Sequence, residues 1–111
     1  LFTEWRDETA YPGCIGPSVA FDGAGQVIVG GKTLTKVPTA GWIHVEIEAA
    51  VGKQAPRKFT LSVTPSGGAK QTFELPFAGP QFNELHWLGF CSTAAVDTAF
   101  FLDNVEIVRK R

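Results

Sequence analysis

The chain has 111 residues, 44% of them hydrophobic and 19% charged, with a formal net charge of −1. That size suits one domain with one modest core, and the composition excludes a disordered chain. No apolar run approaches the roughly 20 residues of a membrane-spanning helix, and no basic stripe is present to neutralise a phosphate backbone, so membrane insertion and nucleic-acid binding are not expected.

Taken in chain order, period-two alternation between turn residues predicts nine strands: Phe2–Arg6, Ser18–Phe21, Gln26–Val29, Thr33–Lys36, Trp42–Ala49, Lys58–Thr64, Gln71–Leu75, Glu84–Cys91 and Ala99–Val108. The breakers are explicit. Tyr11-Pro12-Gly13 and Gly16-Pro17 flank Cys14, Asp22-Gly23-Ala24-Gly25 and Gly30-Gly31 make short turns, and Pro65-Ser66-Gly67-Gly68 and Ala78-Gly79-Pro80 close later strands. In GWIHVEIEAA, Ile43, Val45, Ile47 and Ala49 take one side, and Trp42, His44, Glu46 and Glu48 the other. Phe59, Leu61 and Val63 likewise oppose Lys58, Thr60, Ser62 and Thr64. A dry face behind a wet face is the pattern of an antiparallel sheet packed on one side. Glu84–Cys91 is apolar on both sides, with Leu85 and Trp87 opposite Leu88 and Phe90, which places it centrally or under a neighbouring segment, with Trp87 in the core. No segment supports a helix, and no internal repeat is seen.

Several segments together, EWRD (4–7), GP (16–17), GWIHVEIEA (41–49), FTLSVTPSGG (59–68), LHWLGFCS (85–92) and FFLDNVEI (100–107), resemble the later half of the concanavalin A-like, laminin-G-like jelly-roll domains of secreted bacterial multidomain proteins. The resemblance implies an all-β fold: an antiparallel β-sandwich of jelly-roll type over residues 1–108, with 109–111 a basic tail. Fewer strands are counted than such jelly rolls usually have. The chain also lacks Met and opens on a strand-like sequence, so the sandwich is expected to be incomplete at its N-terminus. An incomplete sandwich would leave an apolar face or an open sheet edge, and a homodimer through that surface is expected.

Function is less legible, because fold does not imply function. The reading adopted is a non-catalytic accessory module of a larger extracellular or cell-surface protein, with the periplasm a further location, binding carbohydrate or another extracellular protein. The alternatives are a fragment of a glycoside-processing enzyme and a purely structural spacer. Trp5, Arg6, Asp7, Tyr11 and Trp42 are the candidate carbohydrate-binding residues. Aromatic rings can cover the C–H face of a sugar with little entropy to lose, while charged neighbours bond its hydroxyls.

Some glycosidases on concanavalin-like sandwiches carry catalytic acids at alternate strand positions, facing one substrate. Glu4 and Asp7 are three apart and fall on opposite faces, so that pattern fails; Glu4, Asp7 and Glu8 are expected to stand in solvent at a strand end, with Arg6 paired to a nearby acid. No catalytic residue is therefore assigned. His44, Glu46 and Glu48 share a face, two apart and about 6.5–7 Å from one to the next, and are read as a wet sheet face before a metal site. Asp103 shares the parity of Phe101, Val105 and Ile107, so it is expected to be hydrogen-bonded in the closing strand; it is also a weak calcium candidate, as in some jelly-roll modules, and no other cofactor is expected. Asp22 is a turn residue first. Cys14 and Cys91 admit one disulfide, or two separate buried thiols.

Overall fold

A computed structural model describes residues 1–9, 14–92, 94 and 100–109. The described residues form eight strands and no helix: β1 (Phe2–Asp7), β2 (Cys14–Phe21), β3 (Gln26–Val29), β4 (Lys32–Lys36), β5 (Ile43–Ala49), β6 (Lys58–Pro65), β7 (Gln71–Pro76) and β8 (Trp87–Cys91). All pair antiparallel, in a five-stranded sheet ordered β4-β3-β2-β1-β8 and a three-stranded sheet ordered β5-β6-β7. Among the described residues the chain changes sheets twice, after β4 and after β7, and β8 returns to lie beside β1.

The alternation explains the layering. Val45 pairs with Val63, Ile47 with Leu61 and Ala49 with Phe59, while Phe73 and Leu75 flank Leu61 and Phe59 from β7. Opposite residues share a face, so one side of the three-stranded sheet is continuously apolar. It closes on Val19 and Val27 of the five-stranded sheet, and these join Phe59, Leu61, Val63, Val37, Phe77 and Phe82 in one buried cluster. Burying each such side chain contributes about 1.5–3 kcal/mol. The two sheets thus share one interior in a β-sandwich-like arrangement.

Gly16 and Pro17, read from sequence as breakers, lie inside β2. Glu4 pairs with Ser18 and Arg6 with Ile15, so two residues of β2 face the single Trp5. This is a β-bulge, a place where a strand tolerates proline. The segment between β7 and β8 supplies core of its own. The Phe77 ring meets Phe82 edge-on at 5.2 Å and lies stacked on Phe59 at 6.4 Å. A Cβ at Gly16 would sit 2.6 Å from the Phe82 ring, so glycine is what lets that ring approach β2.

Three expectations are corrected. β8 begins at Trp87 rather than Glu84, because the backbone N–H groups of Asn83 and Glu84 donate to Asp7 Oδ2 (2.9 and 3.0 Å) instead of entering a ladder. The predicted closing strand does not form: Ala99 lies outside the described residues, and 100–109 contain no strand. Asn104 adopts the left-handed conformation (φ 53°), which breaks an extended run, and its N–H donates to Asp103 Oδ1 at 2.9 Å. The Cys14–Cys91 bridge is the third. Both cysteines are free thiols, and they sit opposite Asp7 and Phe2, at the two ends of β1. Five residues of strand separate those ends by about 17 Å, far beyond the Cα spacing of a disulfide, about 4.4–6.8 Å.

Candidate functional site

Strand β1 sends alternate side chains to opposite faces of the larger sheet. Thr3 pairs with Val19 and Phe90, and Trp5 with Leu88, on the side of the core; Trp5 packs against the buried cluster. Glu4 and Arg6 take the outer side, opposite Gly89 and Trp87. Four residues from two neighbouring strands therefore meet on one outward face, with Ser18 beside Glu4 from β2.

The contacts within this face are tight. Arg6 Nη2 donates to Glu4 Oε1 at 2.6 Å, and the Arg6 guanidinium carbon lies 4.4 Å from the Trp87 ring centroid. That is cation–π geometry on an aromatic plane. The Trp87 benzo ring lies over Gly89, where a Cβ would collide with it. Glycine two positions along the same strand face is what gives the indole a seat. Trp87 remains 37% exposed, whereas Glu4 is buried. The hydrogen bond from Arg6 to Glu4, helped by the nearby carboxylate charge and opposed by desolvation, raises the guanidinium's pKa above its ordinary value. Arg6 Nε is enclosed and has no hydrogen-bond partner among the described residues.

Asp7 closes the end of the same strand. It is fully buried and accepts four hydrogen bonds: from Thr9 Oγ1 (2.6 Å) and Thr9 N (2.9 Å) to Oδ1, and from Asn83 N and Glu84 N to Oδ2. Thr9's hydroxyl and then its N–H hold this carboxyl well below the usual carboxylate range, reinforced by Asn83 and Glu84 and opposed by burial. His86 stands beside it, with Nδ1 3.3 Å from Asp7 Oδ1. The Glu8 N–H donates to that Nδ1 at 3.0 Å, so the ring's proton belongs on Nε2, which faces Glu84 Oε2 at 3.2 Å.

The residues proposed from sequence are therefore not one cluster. Trp5 faces the interior and Arg6 the exterior; Asp7 is spent on the Thr9 hydroxyl and on backbone N–H donors; Tyr11 lies outside the described residues. Trp42, 58% exposed, precedes β5 in the other sheet, where its carbonyl accepts the Ser66 N–H. The charges expected in solvent divide likewise: Glu8 is exposed, but Glu4 and Asp7 are buried, one held by Arg6 and the other by the β7–β8 segment. Arg6 does pair with a nearby acid. Trp87, expected in the core, is the aromatic that joins Arg6 outside. Its pairing with Arg6 in the β1–β8 ladder turns it outward, and the Trp-x-Gly spacing in HWLGF was the available signal.

His44, Glu46 and Glu48 occupy the wet face of β5 as expected, with His44 Nε2 3.0 Å and Lys70 Nζ 3.6 Å from the Glu46 carboxylate. His44 and Lys70 together lower Glu46's pKa, the hydrogen bond to His44 first. Asp103 is exposed rather than buried, because 100–109 do not enter a sheet. Asp22 accepts from the N–H groups of Ala24 and Gln26, a turn role. Among the described residues no group of three or more His, Cys, Asp or Glu side chains is placed to hold a metal ion.

Comparison with family models, with curated proteins and with solved structures finds no match.

Proposed function

We propose that this chain is a non-catalytic carbohydrate-binding module, a jelly-roll sandwich of concanavalin A-like kind, serving a larger secreted or cell-surface protein. The return of β8 to lie beside β1, after a long excursion through the second sheet, supports the jelly-roll reading, since Greek-key connections of this sort build jelly rolls. The observation that carries the function is the exposed Trp87 indole, seated on Gly89 and stacked with Arg6 on an outward sheet face.

The chemistry suits a sugar. An indole covers apolar C–H surface without flexing, and the guanidinium beside it offers planar donors to hydroxyl oxygens. Glu4 already holds Arg6, so the plate is organised before a ligand arrives and less ordering entropy is lost on binding.

A glycan array followed by affinity electrophoresis in polysaccharide gels tests the reading. Trp87→Ala is expected to weaken binding about tenfold or more, a loss of about 1.4 kcal/mol. Arg6→Lys is expected to weaken it as well, because an ammonium cannot lie flat against the ring. Trp42→Ala, in the other sheet, should leave it unchanged. Absence of binding to any arrayed glycan, or binding indifferent to Trp87→Ala, overturns the proposal.

A further inference from the structure

The large apolar side chains left in solvent concentrate in one segment. Nine such residues stand exposed among the described ones, and six of them, Phe100, Phe101, Leu102, Val105, Ile107 and Val108, lie within 100–108; Phe101 is 81% exposed. Aromatic and β-branched residues of this kind favour a pleated, half-buried setting, so what complements the segment is a sheet edge.

Among the described residues the sandwich has four edge strands, and three are guarded. Strand β4 carries Lys32 and Lys36 and is followed by Pro38; β5 presents His44, Glu46 and Glu48; β7 carries Glu74 and ends on Pro76. Charges and prolines of this sort block edge-to-edge pairing. The remaining edge, β8, reads Trp87-Leu88-Gly89-Phe90-Cys91, with no charge and no proline. Leu88 and Phe90, turned to the core side by their pairing with Trp5 and Thr3, are only half-buried.

We propose that residues 100–108, with Asn104 leaving the left-handed conformation it holds in the single chain, add as a strand to the β8 edge of a second copy of this chain, which returns its own segment in a two-fold exchange. Donor and acceptor lie on one chain, so two copies are self-complementary, as a two-fold interface requires. The segment does not occupy its own β8 edge, since it forms no strand. The eight residues 92–99 can span up to about 28 Å, enough to reach a neighbour. The area also suffices. An aromatic side chain buries about 150 Å² or more, so the phenylalanines of two copies, the aliphatic residues and the surface they cover together reach the roughly 1,200–2,000 Å² of stable interfaces. Backbone bonds along the added strand supply affinity, and alternate side chains supply register.

Light scattering after size exclusion and sedimentation equilibrium on the full 111-residue chain test this. A dimer is expected across micromolar concentrations, and the double variant Phe101→Asp, Ile107→Lys should be monomeric. Both positions are exposed, so the variant is expected to keep the sandwich, its far-ultraviolet circular dichroism losing only the strand signal of 100–108. Hydrogen exchange on the wild type provides an independent reading: amides of 101–107 and β8 should gain protection as the dimer forms. A wild-type monomer throughout, a dimer that survives the double substitution, open-ended fibres, or a monomer in which 101–107 are already protected on their own edge would each overturn the proposal.

Discussion

Asp7 shows how much one side chain can organise. Its two oxygens take four donors, two from Thr9 and two from the backbone just before β8, so one buried carboxylate joins the end of β1 to the start of the returning strand. Asparagine in its place keeps the shape but turns an amide group toward N–H donors and removes the charge. Asp7→Asn is expected to cost about 2–3 kcal/mol, because hydrogen bonds to a charged, buried acceptor are lost and donors are left unpaired. The pH dependence has a definite sign. The folded carboxyl's pKa is depressed far below its unfolded value of about 3.9, so its contribution is complete above that value and drains away as pH falls toward the folded one. Urea melts between pH 7 and pH 2 should show wild-type stability declining on the acid side, and a flatter acid limb for Asp7→Asn. Equal slopes for the two proteins would show that Asp7 does not carry the acid response.

At the scale of elements, the connection between β7 and β8 does more than cross from one sheet to the other. Phe77 and Phe82 fill the space between Phe59 and the bulge at Gly16-Pro17. The Arg57 guanidinium donates to the carbonyls of Phe82 and Lys53, tying this connection to the one between β5 and β6. Phe82→Ala should therefore behave as a core truncation, not a loop change, costing about 3–5 kcal/mol. A lower urea midpoint with an unchanged m-value is the expected signature, and a loss below about 1 kcal/mol would place Phe82 outside the cooperative core. Sequence reasoning found Ala78-Gly79-Pro80 as a break in strand pattern, and it was one. The flanking phenylalanines carried no period to mark them as buried. In a connection, burial depends on what the crossing passes over.

At the scale of the whole molecule, one cluster holds residues from both sheets and from the crossing between them. Neither sheet has an interior without the other. Unfolding should accordingly be a single transition, with tryptophan fluorescence and far-ultraviolet circular dichroism giving coincident urea curves. The indoles report from both sheets, Trp5 and Trp87 in the larger and Trp42 at the start of the smaller. Two separated transitions would mean that the sheets are independent units.

Local pattern alone determined most of the strands and the side each turns inward on β5 and β6, because alternation every two residues is set by the backbone of a single strand. It also marked the turn at Asp22 and the charged outer face of β5. Tertiary structure decided the rest. Whether Trp87 faces in or out depends on its pairing with Arg6, eighty-one positions earlier in the chain; the Trp-x-Gly spacing within HWLGF offers the indole a seat on Gly89 but does not fix that register. The same holds for the alternating residues 100–108: they have the composition of a strand, but a strand needs an edge to pair with, and edges are made only when distant segments meet.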